Sequence, residues 1–419
     1  MKQGPRIACI VIVLAWLTGC GDDTQPTAQP DAPMADSAAI DAAASPDAIA
    51  VPPNGLKLID ISNIADLTGD GRYALLQDME SPMGTVYVYD SYLDHLENRG
   101  SAANPDPAMG DTTRGTPPPP QGAFGMSADT SRIVGTHGMP LQAAFLAQSS
   151  WHDLGMFTTP ICPGDPTNVD DGGSAGSGWD ISDDGKTIVG MAWNTCAGAK
   201  AVRWTETSAG QGTFTELQSM GRAYNRATKV SADGHIVGGW FDTTMVDRSP
   251  AIWRADGTVI ALDPTGMVIG EVLALTADGR YAAGPWNDTN GNNGFYWSQL
   301  GGVKMLPLLA DAMPSDQVFP NAIAADGNLI FGGAGDLTGL GNVVRAFVWT
   351  GRDNRIRLLQ DLVTQQGYTL PPNTILSNVM AASIDGSVVV GQTLNMDPAL
   401  PMPKQRSFML RMPLSAYGL

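Results

Sequence analysis

The chain has 419 residues, of which 16% are charged, against about 25% in an ordinary soluble protein. Its 49 Gly and 30 Pro point to a turn-rich chain and exclude a mainly helical one. A formal charge of −18 excludes a nucleic-acid partner, because phosphate binding needs a basic face, and four His with four Cys leave little material for a metal cluster.

In chain order, Lys2 and Arg6 precede an apolar run from Ile7 to Leu17, too short to span a bilayer but suited to a secretory signal. The run ends in Leu17-Thr18-Gly19-Cys20, which resembles the lipobox of bacterial lipoproteins. The resemblance implies cleavage before Cys20 and acylation of that residue, so that residues 1–20 are the signal and Cys20 is the membrane anchor. It places the protein in the bacterial cell envelope, at the outer membrane, facing either the periplasm or the exterior. Residues 21–54 are Ala, Pro and Asp with scattered Ser and Thr, including six Asp and no Lys, Arg or aromatic residue. Such a segment cannot bury enough apolar surface to offset chain entropy, and its charges repel, so it reads as an extended, disordered tether.

The third segment, residues 55–419, is built from a repeat. Ile181-Ser182-Asp183-Asp184-Gly185 leads into Lys186-Thr187-Ile188-Val189-Gly190, and related segments turn at Gly71, Thr130, Gly234, Gly279, Gly327 and Gly386. The mean spacing is about 52 residues. Asp-Gly supplies the positive φ of a tight turn, and the Ser or Thr two residues before the Asp can hydrogen-bond the turn backbone. The β-branched run after it is strand material, and the Gly closing that run suits close backbone approach. An aromatic strand follows about twenty residues later, as in Ala201-Val202-Arg203-Trp204 and Ala346-Phe347-Val348-Trp349, and then a last short strand such as Val259-Ile260-Ala261-Leu262.

Four short strands per repeat is the size of one propeller blade. The expected fold is therefore all-β, a seven-bladed β-propeller of four-stranded repeats. The two upstream copies are the weakest, and the sequence leaves six or eight blades open beside seven. Leu56 to Ile61 reads as an orphan outer strand that completes the last blade beside residues 405–412 and hides its edge. The alternation of these motifs resembles the HAF repeat of bacterial extracellular proteins over residues 56–412. The name-giving triad is reduced to Ala-Phe at Ala144-Phe145 and Ala346-Phe347. This resemblance brings no activity with it.

Candidate chemistry is sparse. Gly172-Gly173-Ser174-Ala175-Gly176 fits the hydrolase pattern G-x-S-x-G but sits among Gly, Ser and Asp with no helix pattern after it, and reads as a loop. Asp288-Thr289-Asn290-Gly291-Asn292 alternates oxygen ligands, yet Asn293 and Gln299 stand where an EF-hand needs Gly and Glu. A polar turn is the plainer reading, a looser calcium site the other, and no cofactor is expected. Cys162 and Cys196, left after processing, suggest a disulfide in an exported protein, with free buried thiols as the alternative. Trp193, Trp240 and Trp286 follow the closing Gly of the second strand in three successive repeats, where they could line an aromatic row that stacks on sugars or pack between blades. Trp204, Trp253, Trp297 and Trp349 read as core. The functional expectation is a lipid-anchored, non-catalytic module that binds an envelope protein or glycan. Its rivals are a purely structural repeat protein and an envelope glycan hydrolase or lyase that uses carboxylates in the funnel. Acidic residues clustered beside a deep central pocket would mark the enzyme.

Overall fold

The computed structural model describes residues 50–80, 84–101, 122–137, 142–154, 176–195, 198–220, 224–246, 248–289, 291–336 and 342–419. Seven antiparallel sheets follow one another around an axis. After the first strand β1 (Gly55–Ile59), blade 1 comprises β2 (Asn63–Leu67), β3 (Tyr73–Asp78), β4 (Thr85–Asp90) and β5 (His95–Ser101). Blade 2 comprises β6 (Gly122–Met126), β7 (Ile133–His137), β8 (Gln142–Ala147) and β9 (Ser150–Asp153). Blade 3 runs through β10 (Gly176–Ile181), β11 (Thr187–Thr195), β12 (Gly198–Ser208) and β13 (Gln211–Glu216). Blade 4 holds β14 (Asn225–Val230), β15 (Val237–Phe241), β16 (Ser249–Trp253) and β17 (Val259–Ala261).

In blade 5 the inner strand is split into β18 (Ile269–Gly270) and β19 (Ala274–Leu275), both paired with β20 (Tyr281–Asp288), beyond which lie β21 (Gly291–Ser298) and β22 (Gly302–Met305). Blade 6 contains β23 (Gln317–Ile323), β24 (Leu329–Gly335), β25 (Arg345–Thr350) and β26 (Arg355–Leu358), followed by a short helix α1 (Leu359–Gln365) that the repeat pattern does not foreshadow. Blade 7 has β27 (Thr374–Ala382), β28 (Val388–Asn395) and β29 (Lys404–Arg411). Its outer strand is β1, paired in register from Gly55–Arg411 to Ile59–Ser407, so the N-terminal strand closes the ring as expected. Among the described residues no helix is long and apolar enough to cross a membrane.

The turn motif does what its residue types require. In six blades the Ser or Thr hydroxyl donates to the turn Asp, as Ser231 to Asp233 at 2.6 Å, and accepts from a backbone N–H on the far side, as Ile236 to Ser231 at 2.9 Å. Blade 6 has Ala324 there, and its Asp326 still accepts from the Asn328 backbone at 2.9 Å. The turn glycines take positive φ, and Thr130 takes φ 60° in the one copy without Gly.

Alternating inward residues bury seven apolar clusters, one in each seam between neighbouring blades. Trp253 lies with Val189 and Ala201 between blades 3 and 4, and Trp204 with Val134 and Phe145 between blades 2 and 3. Trp297 packs with Ile252 and Val272 between blades 4 and 5, while Trp349 joins the seam of blades 5 and 6. The stability of the ring is thus spread over contacts between consecutive blades, as in other repeat folds.

Candidate functional site at the propeller axis

Each inner strand is irregular at the same place, six residues before the turn position. A register shift falls at Ala65, Phe124, Trp179, Thr228, Asn321 and Met380, and in blade 5 the strand breaks at the matching residue, Leu273. A bulge sets two residues of one strand against one of its partner and re-aims their side chains. Here it brings the next residue to the axis: Asp66 in blade 1, Asp180 in blade 3 and Lys229 in blade 4. The bulge also explains a Gly on the facing strand of blades 3 to 7. A Cβ on Gly190, Gly239, Gly284, Gly332 or Gly391 would lie 1.8–2.1 Å from a carbonyl oxygen of the inner strand.

The two axial carboxylates tie blades together. Asp66 accepts the Met126 N–H of blade 2 at 2.9 Å and its own neighbour Leu67 N–H at 2.8 Å, and Asp180 accepts the Val230 N–H of blade 4 at 2.8 Å. Gly125 makes room, since a Cβ there would stand 2.9 Å from Asp180 Oδ1. No hydrogen bond reaches the Lys229 ammonium from the described residues; it faces Asp180 and Asp66 through space. Burial lifts the Asp66 carboxyl to about 7, with the Asp180 charge adding to the rise and Lys229 opposing it. Burial likewise raises Asp180. Burial alone would depress Lys229, but Asp180 and Asp66 outweigh it and hold the ammonium above the ordinary lysine range.

The space around these charges is about 140 Å³, lined further by small side chains such as Ala128, Ala232, Ala277 and Ala325. Below it, the residues two before each turn position form a backbone hydrogen-bond ring. Ala128 donates to Asp183 at 3.0 Å, Asp183 to Ala232 at 3.1 Å and Ala232 to Ala277 at 2.8 Å. Ala325 donates to Ile384, and Ile384 to Gly69, each at 2.8 Å. Five of the seven steps around the axis are thereby bonded. Above the charges, Phe124 stacks on Trp179 with ring centres 4.8 Å apart, and the Arg226 guanidinium lies 4.0 Å from the Trp179 centre. Arg226 is paired with buried Glu271 at 2.7 Å, and the Thr228 hydroxyl also donates to Glu271.

A carboxyl that titrates near neutrality beside a second carboxylate is chemically suited to proton transfer. The space is the limit: ligand sites ordinarily offer about 300–1,000 Å³. Among the described residues no group of three or more His, Cys, Asp or Glu is arranged to hold a metal ion.

Of the residues singled out from sequence, Trp240 and Trp286 do not line this space. Trp240 is buried in blade 4, with the Arg226 and Arg248 guanidinium groups 5.6 and 5.2 Å from its ring. Its indole N–H has no hydrogen-bond partner among the described residues. Trp286 is buried against Phe295 at 5.7 Å and donates to Asp288 at 3.1 Å. Trp193 lies in β11, paired with Ala199, and its side chain is outside the described residues. Cys20, Cys162, Cys196, Asn290 and residues 172–175 are also outside them. Asp288 pairs with Gly291 across the β20–β21 hairpin. Asp66, Asp180 and Lys229 were missed, although aligning the repeats on their turns puts all three in one column, five residues before Gly71, Gly185 and Gly234. Arg226 and Glu271 share another column, eight residues before Gly234 and Gly279.

No known family profile matches the chain, and no curated protein matches it. Similar solved structures include TolB from Acinetobacter baumannii, 17% identical over 59% of this chain and 54% of that one, with a TM-score of 0.41. The chain therefore spans about half the length of that TolB. An oligogalacturonate lyase in complex with manganese is 13% identical over 86% of this chain and 91% of its own, with a TM-score of 0.48. The propeller domain of the Trilobed protease from Pyrococcus furiosus is 10% identical over 84% and 95%, with a TM-score of 0.47. Likenesses this distant say nothing about activity. The chain's own sheet order makes it a seven-bladed β-propeller closed by its N-terminal strand.

Proposed function

We propose that this chain is a lipid-anchored, non-catalytic binding module of the bacterial cell envelope. Residues 1–20 are its lipoprotein signal, acylated Cys20 its anchor at the outer membrane, residues 21–54 its tether, and residues 55–419 an HAF-type propeller that engages an envelope protein or glycan. One observation carries the non-catalytic part of this reading. The acidic residues that would mark an enzyme do cluster at the axis, but about 140 Å³ surrounds them, less than half the volume of an ordinary ligand site. Asp66 and Asp180 are moreover committed to backbone N–H groups of the next blade, a cross-linking role.

The test immobilises the tethered chain and exposes it to an envelope extract and a panel of polysaccharides. A saturable partner that is released unaltered supports the binding module. Cleavage of any polysaccharide, abolished by Asp66→Asn, would replace it with the second reading. That reading is a glycan hydrolase or lyase, favoured by a carboxyl near pH 7 beside a second carboxylate. Cys20→Ala should release the protein from the membrane fraction, and retention after a carbonate wash would remove the anchor.

A further inference from the structure

In a propeller of this connectivity the Asp-Gly turns lie on a lower face, and the connections between blades lie on the upper one. The exposed apolar residues are divided unequally between them. Among the described residues every exposed methionine is on the upper face or at its rim, including Met245, Met267, Met313, Met396 and Met402. Methionine is flexible and polarizable, and it recurs on surfaces that adapt to protein partners.

One of these methionines, Met396, borders with exposed Val343 a cavity of about 390 Å³ at the seam of blades 6 and 7, a volume within the range of ligand sites. Its walls are apolar: Val343 and Ala346 from blade 6, Leu358 at the end of β26, Ile375 from blade 7 and Met396 beyond β28. Three polar side chains at its edge are already engaged. Arg345 gives both terminal nitrogens to Asp311, at 2.8 and 2.9 Å, while its buried Nε has no hydrogen-bond partner among the described residues. Asn342 donates to Asp316 at 2.6 Å, and Gln360 accepts the Leu376 N–H at 3.2 Å. The remaining one is Asp361, in the first turn of α1, exposed and without a hydrogen bond or ion pair among the described residues. Asp361 feels the Arg345 charge through space, but Arg345 is shared with Asp311 and Asp316, so the cavity pairs an apolar wall with an excess of negative charge, in a chain whose formal charge is −18.

Resting on the binding role proposed above, we infer that the seam of blades 6 and 7 is the anchor point for a basic, apolar segment of a partner protein. A Lys or Arg of that segment lays its methylene stem along Val343, Leu358, Ile375 and Met396 and brings its cation to Asp361. Long cationic side chains bury their stems on apolar surface while keeping the charge at its edge. The neighbouring methionines give the rest of the segment an adaptable apolar bed. A neutral glycan would leave the Asp361 charge unanswered.

The experiment measures fluorescence anisotropy of a short labelled peptide of Lys, Leu and Ser against the full chain, beside peptides in which Gln or Glu replaces every Lys. The Lys peptide should bind saturably and weaken with salt, and the Glu peptide should not bind. Asp361→Asn should weaken the Lys peptide about fivefold, the loss of one solvent-facing charge pair. Val343→Ser should weaken it too, whereas Leu300→Ser, exposed on the lower face, should not. Equal affinity for the Lys and Gln peptides, or Asp361→Asn and Val343→Ser variants indistinguishable from Leu300→Ser, would overturn the site. An envelope partner captured equally well by wild type and Asp361→Asn would also remove this site while leaving the binding module standing. Peptide binding at the seam by a chain that captures no envelope partner would do the reverse.

Discussion

Arg226 and Glu271 occupy the same position in successive blades, and their side chains meet: Arg226 Nη2 donates to both Glu271 oxygens, at 2.7 and 2.9 Å. Both residues are buried. Arg226 also lies over Trp179 of the blade before, so this one side chain connects blades 3, 4 and 5 above the axial charges.

Removing one member of this pair should cost far more than removing both. Arg226→Ala leaves the Glu271 carboxylate buried without its cation, and about 3–5 kcal/mol should be lost in urea unfolding. The double replacement by Met at both positions should recover much of that loss, because an apolar pair of similar volume has no charge to desolvate. Losses that simply add would show that the two side chains act independently.

The axial carboxyl should make stability depend on pH in an unusual direction. The folded chain holds the Asp66 proton to about pH 7, whereas an unfolded Asp releases it near 4. Between those values the folded state binds more protons than the unfolded one, so the contribution of Asp66 is fully present below about pH 4 and is lost as pH rises through about 7. Asp180, also raised, acts in the same sense, and Lys229, raised above the ordinary lysine range, stays charged throughout. Thermal unfolding from pH 5 to 8 should show a smaller fall in Tm for Asp66→Asn than for wild type. Parallel profiles would exclude Asp66 as a titrating group.

The close approach at the second strand gives a steric prediction. A Cβ at Gly284 would sit 1.8 Å from the Glu271 carbonyl oxygen, in backbone that cannot shift without breaking the bulge. Gly284→Ala should destabilise by at least about 3 kcal/mol. Gly55→Ala, with nothing within 4 Å of the new Cβ, should change stability by less than about 0.5 kcal/mol. Comparable melting of the two variants would refute the collision.

Thr130 holds φ 60° at a turn position where the other six blades have Gly. A β-branched residue pays about 1–2 kcal/mol there, part of which Gly returns as unfolded-chain entropy. Thr130→Gly should therefore stabilise the propeller by about 1 kcal/mol, read as a higher urea midpoint. An unchanged or lower midpoint would mean that Thr130 contributes contacts worth more than its strain.

The repeat made the ring legible before any coordinates. Asp-Gly at a regular spacing, the Ser or Thr before it and the β-branched run after it each demand one local conformation. Local demands repeated at a regular spacing point to an array of blades, and the structure sets their number at seven and closes the ring. Leu56 to Ile59 could be placed in the last blade because a strand without a neighbour of its own leaves an edge to cover. The axial site was only half legible. Asp66, Asp180 and Lys229 are far apart in the chain, and the bulge that brings all three to the axis is announced by no residue type in the inner strand. Volume is likewise a property of seven blades at once. The sequence by itself determined the blade, its turns and its order around the ring, because those follow from contacts between neighbours along the chain. Only the tertiary structure decided which charges share the axis and how little space surrounds them. It likewise decided which seam opens to the upper face, because these features depend on distances between blades that sequence spacing does not encode.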